Sequence, residues 1–207
     1  MSNRDEADKC KRQFASGQSE HLTAVKAYNA VDRMGDARYD FCRENYLSMK
    51  SLQNIAQLKR QFLEMLSNAG FVRPGLRSKA VEAIGRRNGR TDGVKLALEH
   101  GTGSRYNIGS PRTNDVEVED NKTAPILKAL LVASLFPQVV VADKKGNKAG
   151  GGSITLKSKD EDETIMIHPQ CLLFGEKTLN SKFVVYHQKV KTTKIYMVSK
   201  NLYTPSI

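Results

Sequence analysis

Apolar residues recur at helical spacing through the first third of the chain and at a spacing of two through the last third. The longest helical stripe begins in Phe41–Phe62, FCRENYLSMKSLQNIAQLKRQF. There Leu52, Ile55, Leu58, Phe62 and Leu66 recur every three or four residues, which predicts one apolar helix face. Lys50, Gln53, Gln57, Lys59, Arg60 and Gln61 fill the other face. Ser48 is placed to cap the first turn with its hydroxyl, and Gly70 to end the helix, with Phe71 packing back over the last turn. Upstream, Ala7, Cys10 and Phe14 predict a helix over 5–15. Leu22, Val25, Tyr28 and Val31 predict a second helix from Ser19 to Gly35, and a short third spans Asp36 to Glu44. Residues 1–72 therefore read as a four-helix, compact bundle piece.

Periodicity fades over 73–122. Seven of the 15 glycines fall there, interspersed with arginines, so the stretch reads as a Gly/Arg-rich flexible insertion or linker with weak helical turns at 77–84 and 92–99. GTGS (101–104) lacks both a preceding strand and a G-K-[ST] ending, which excludes a nucleotide phosphate loop. Thr123–Phe136 is nearly all apolar. At about 13 residues it is too short to span a bilayer, so it reads as a buried core helix. From Gln138 the period is two, with strands expected at 138–142, 153–158, 164–168, 183–190 and 194–199, the last two joined by a hairpin at Lys191–Thr193. The fold class is α+β: an N-terminal helical bundle over 1–72, the linker over 73–122, then a core helix and a small antiparallel β-barrel over 123–207, incomplete at its C-terminal end.

Charge narrows the partner. The net charge is +11 over 207 residues, but it is uneven: +2 over 1–72, +6 over 73–114, −2 over 115–137 and +5 over 138–207. A basic middle and C-terminal part favour a polyanion. No apolar run is long enough for a membrane span, so no membrane partner is expected, and the charged N-terminus is no secretory signal. Cys10, Cys42 and Cys171 are odd in number and far apart, which points to reduced thiols rather than a disulfide or zinc framework. Cys42 and His21 have no third orienting group for a thiol nucleophile, and the four histidines offer no H-x-x-x-H ligand pair.

Three stretches, taken in order, carry a resemblance. SEHLTAVKAYNAV (19–31), FCRENYLSMKSLQNIAQLKRQF (41–62), and HPQ (168–170) with VVYHQKVKTTKIYM (184–197) are similar to the C-terminal helicase-associated region of DEAH-box/RHA-type ATP-dependent RNA helicases. The first two correspond to that family's helical "ratchet" and the third to the OB-fold after it. The resemblance covers 1–72 and 123–207. Glu20 stands where the family has Asp, and the tryptophan usual after Ala27–Tyr28 is absent, since the chain contains no Trp.

The resemblance implies an accessory region that binds single-stranded RNA and couples it to RecA-like motor domains, which would bind ATP and Mg²⁺ in a parent protein. Nothing in this sequence matches a G-K-[ST] loop or a D-E-A-H box, so no cofactor is expected here and the chain reads as a piece of a longer protein. A stand-alone non-catalytic RNA-binding or scaffold module is the alternative, and a helicase activator protein is compatible with either. The compartment implied is intracellular, nuclear or cytoplasmic. For RNA contact the residues singled out are His187, Lys189, Lys191, Thr192, Thr193 and Lys194 in the last hairpin, Lys144, Lys145 and Lys148 in the first barrel turn, and Lys59 and Arg60 on the long helix. Lysines supply charge for phosphates, and threonine hydroxyls with adjacent amides can bond phosphate oxygens. His168, before Pro169, reads as a structural strand end.

Overall fold

The computed structural model describes residues 3–101, 123–142, 154, 156–158, 164–174, 176 and 178–203. It divides into two units. The helical unit holds residues 1–10 and 27–113, and the barrel unit holds 11–26 and 114–207. Helices α1 (Asn3–Gln13) and α2 (Glu20–Arg33) are each shared between the two. No helix among the described residues is long and apolar enough to cross a membrane.

In the helical unit a 3₁₀ turn (Gly35–Ala37) leads into α3 (Arg38–Glu44) and then α4 (Met49–Asn68). Both expected ends of α4 are present. Ser48 is the N-cap, its hydroxyl accepting from the Ser51 amide at 3.3 Å. At the other end Gly70 has a φ of 79°, and the Phe71 amide donates to the Leu66 carbonyl at 3.0 Å, closing a Schellman turn. The Phe71 ring does not pack back; it is 79% exposed.

The buried face of α4 differs from the apolar stripe in the sequence. Leu52, Ala56, Arg60, Leu63 and Ser67 are buried, whereas Ile55, Leu58, Phe62 and Leu66 are exposed. Part of the reason lies in residues assigned to a linker. Helices α5 (Ser78–Arg87) and α6 (Val94–His100) form there and build a core of Leu63, Leu76, Val81, Ile84, Leu96 and Ala97. A second core joins Tyr28, Val31, Cys42, Leu52 and Ala56. Two sets of neighbours thus claim one face of α4, leaving the bulkier face outward. The α5–α6 crossing is close enough to need glycine. Gly93 has a φ of 74°, and a Cβ there would collide with the Val81 carbonyl.

In the barrel unit the strands are β1 (Val139–Ala142), β2 (Leu156–Ser158), β3 (Thr164–Ile167), β4 (Phe183–Lys191) and β5 (Ile195–Tyr203). They close in the order β1-β2-β3-β5-β4, with β1 returning to β4. Closure is complete among these strands, where the sequence suggested a barrel short at its C-terminal end. All pairs are antiparallel except β3 with β5, which is parallel, so the barrel is not purely antiparallel. This is the five-stranded OB-type arrangement. Its core comprises Val140, Ile154, Leu156, Ile165, Ile167, Leu173, Val184, Tyr186 and Met197.

Helix α7 (Thr123–Leu135) corrects another expectation: it packs beside β4 and β5, yet none of its residues is buried. Leu127, Leu131, Val132 and Leu135 are half-buried on one side, while Ile126 and Leu130 on the other are 61% and 62% exposed. An all-apolar composition cannot tell a helix covered all round from one covered on a single face.

Residues 11–26 belong to the barrel unit through hydrogen bonds. The Glu20 carboxylate accepts from the Leu172 amide at 3.0 Å and pairs with Lys11 at 3.3 Å, while the Lys11 ammonium also donates to the Gln170 carbonyl at 3.0 Å. The Gln18 side chain donates to the Thr178 carbonyl at 3.3 Å and accepts from the Asn180 amide at 3.0 Å.

Candidate nucleic-acid interface

The β4–β5 ladder keeps one antiparallel register from Phe183 opposite Tyr203 to Lys191 opposite Ile195. The intervening turn is held by Thr192, whose amide donates to the Lys194 carbonyl at 3.0 Å and whose hydroxyl donates to the same oxygen at 3.3 Å. That closure forces Lys191, Thr192, Thr193 and Lys194 together at the hairpin tip, and all four are exposed. Two ammonium groups therefore flank a turn whose backbone is fixed. The Thr192 hydroxyl hydrogen is committed to the turn, but its oxygen still has acceptor capacity.

Further down β4, His187 is exposed and Lys189 half-buried. With Lys191 they alternate along the strand and share one of its faces. The Lys189 ammonium lies 5.7 Å from the centre of the Tyr186 ring, within cation–π range. Six of the residues singled out from the sequence are thus on one hairpin. Lys144, Lys145 and Lys148 lie outside the described residues. His168 is structural, as expected: its Nδ1 accepts from the Gln170 amide at 3.2 Å, and its ring meets Tyr196 edge-on at 5.6 Å.

Lys59 and Arg60 lie in the helical unit and both have partners within it, Arg60 buried and Lys59 with 40% of its side chain exposed. Lys59 pairs with Asp92, which is 4% exposed, and its ammonium sits 4.5 Å from the Tyr28 ring centre. Asp92 also accepts from the Tyr28 hydroxyl at 2.7 Å and from the Val94 amide at 2.8 Å. Burial opposes ionisation of this carboxyl, but the Lys59 ammonium and the two further donors, the Val94 amide and the Tyr28 hydroxyl, outweigh it and hold the group below its ordinary value. For Tyr28, burial and then the Asp92 charge push the phenol upward, so it remains a donor. Arg60 is 7% exposed; its Nη1 donates to the Thr91 carbonyl at 3.3 Å. Asp92 itself was not legible as a hub, since the only sequence signal is TDG before a helix.

Two catalytic arrangements can be checked against the described residues. Cys42 is 3% exposed, its thiol directed at the Met49 sulfur 3.9 Å away, and burial raises its pKa, which disfavours the nucleophilic thiolate. No group of three or more His, Cys, Asp or Glu able to hold a metal occurs among the described residues. The chain's residues do not fit ATP with Mg²⁺ either, lacking the phosphate loop and its acidic partner motif.

Residues 127–200 match the OB_NTP_bind family, an oligonucleotide/oligosaccharide-binding (OB) fold. Over 209 residues the chain is 31% identical to a Mus musculus protein named as the ATP-dependent RNA helicase DHX57, covering 94% of this chain and 14% of that protein. It is 26% identical to the DExH-box ATP-dependent RNA helicase DExH1 of Arabidopsis thaliana, covering 95% of this chain and 16% of the relative. It is also 27% identical to the ATP-dependent DNA/RNA helicase DHX36 of Bos taurus, over 92% of this chain and 16% of the relative. The chain therefore spans 14–16% of the length of these relatives.

Proposed function

We propose that the chain is a C-terminal helical and OB-fold region of the DEAH-box RNA helicase type, and that its β4–β5 hairpin holds single-stranded RNA for a helicase motor. The observation that carries the reading is the hairpin tip, where a fixed turn presents Lys191 and Lys194 on either side of two threonines. Ammonium groups so placed bind successive phosphates without reading bases, which suits a clamp that must let a strand slide.

The second half of the proposal is coupling. Along α4, Ile55, Leu58, Phe62, Met65 and Leu66 are 42–63% exposed. A stripe of five large apolar side chains on one helix is more than scattered surface residues require, and it suits contact with a further folded domain. RecA-like motor domains of a parent protein, which would hydrolyse ATP, are the partner we assign to it. The strand-holding role is tested by titrating the chain with a fluorescent oligouridylate over a series of salt concentrations. Affinity should fall log-linearly with salt, with a slope of about −0.7 per phosphate contacted. A flat salt response would remove the electrostatic clamp.

A further inference from the structure

The helical unit contains a polar cleft of about 410 Å³ between α3, the first half of α4, the second half of α5 and the turn that follows it. Four arginines line it: Arg38, Arg60, Arg86 and Arg90. The acidic residue among its lining is Glu82. Two arginines are largely buried, with side-chain exposures of 9% for Arg60 and 14% for Arg90, while Arg86 stands at the rim at 80%.

The internal partners of these cations are incomplete. A guanidinium carries five N–H donors. The Arg60 contacts are the long 3.3 Å bond to the Thr91 carbonyl and a 3.9 Å approach to Glu82, and its buried Nε has no partner. The buried hydroxyl of Thr91, another lining residue, has none either. Glu82 is shared, since it also accepts from Arg86 at 3.1 Å. Arg90 pairs with Asp32 at 3.4 Å, and Arg38 donates to the Gly35 and Gly89 carbonyls. Buried donors left unsatisfied in this number are costly unless a ligand meets them.

We propose that this cleft is a binding site for a compact phosphate-bearing anion. Four guanidinium groups face one lining carboxylate, and with Asp32 paired to Arg90 an excess of two positive charges remains. A single carboxylate would leave half of that excess in place, whereas phosphoryl oxygens accept from several planar guanidinium forks at once and carry two or more charges. The amides of Gln53, Asn54 and Gln57 along the same wall add donors without adding opposing charge. The phosphate source is either a free polyphosphate-type anion or the backbone of a nucleic-acid strand. The site does not depend on the RNA-holding role of the β4–β5 hairpin.

The test is calorimetric titration of the whole chain with sodium pyrophosphate at low salt. Saturable 1:1 binding is expected, weakened about tenfold by Arg86→Glu and by Arg60→Lys, which keeps the charge and loses the fork. Arg86 is exposed, so its replacement leaves the fold intact should Arg60→Lys fail to fold. Binding should be unchanged in Lys191→Glu/Lys194→Glu. Displacement of pyrophosphate by an oligouridylate identifies a strand phosphate as the source, and indifference to it identifies a free anion. The proposal is overturned by absence of saturation, by an equal response to sodium glutamate at matched ionic strength, or by binding that survives Arg86→Glu but is lost in the hairpin variant.

Discussion

The hydroxyl of Tyr28 donates a 2.7 Å hydrogen bond to the carboxylate of Asp92, joining α2 to the turn before α6 across 64 positions of sequence. Lys59 of α4 pairs with the same carboxylate oxygen. One buried side chain thus ties three helices of the helical unit together.

Asp92→Asn should lower stability by about 2 kcal/mol, below the full value of a buried pair because the Lys59 side chain is partly exposed. The effect has a pH signature. The folded-state pKa of Asp92 lies below its ordinary value of 3.8, so its contribution is present above 3.8 and is lost as pH falls through the folded-state value. Urea midpoints of the two proteins should differ near neutral pH and converge in acid. A difference that stays constant below pH 3.8 would remove the charge from the explanation.

Adjacent residues of α4 should behave oppositely. Leu63 is 4% exposed and Phe62 is 59% exposed. Leu63→Ala should cost about 3 kcal/mol, whereas Phe62→Ser should change stability by about 0.5 kcal/mol or less. Chemical denaturation of both variants reads the rotation of the helix directly. Equal losses would put the bulky stripe back in the core.

Replacing Gly93 tests the α5–α6 crossing. An alanine there meets both an unfavourable φ and the Val81 carbonyl, so Gly93→Ala should cost about 3 kcal/mol or prevent folding of the helical unit. Gly70→Ala, where nothing lies within 4 Å of the added carbon, meets only the φ penalty and should cost about 1 kcal/mol. Thermal unfolding that ranks the two alike would refute the close approach.

On the barrel, Lys191→Glu/Lys194→Glu should weaken oligouridylate binding by about tenfold and flatten its salt dependence by about 1.4 in slope, with no change in unfolding midpoint. Unchanged affinity would take the hairpin out of the interface.

Most elements were legible because their signals were local. The Ser48 cap, the Gly70 stop and the two-residue period of the strands each depend on neighbours in sequence, and each appears in place. The hairpin lysines could be read the same way, since a turn brings them together whatever the rest of the fold does. What could not be read was competition for a face. Ile55 and Phe62 are more apolar than Ala56 and Arg60, so periodicity favours the wrong side of α4. The decision rests with α5 and α6, whose glycines and arginines disguise the spacing of Leu76, Val81, Ile84 and Leu96. The Asp92 hub and the arginine cleft were hidden for the same reason: both assemble from segments dozens of residues apart.

The hydrogen bonds from residues 11–20 into 170–180 make the barrel unit discontinuous in sequence. A clone beginning at 123 would keep all five strands and lose the Gln18 carboxamide and Glu20 carboxylate that hold the amides of Asn180 and Leu172. During synthesis those two side chains emerge some 150 residues before the amides they will meet. These contacts of the barrel unit therefore wait for the segment before β4, with residues 27–113 of the helical unit made in the interval.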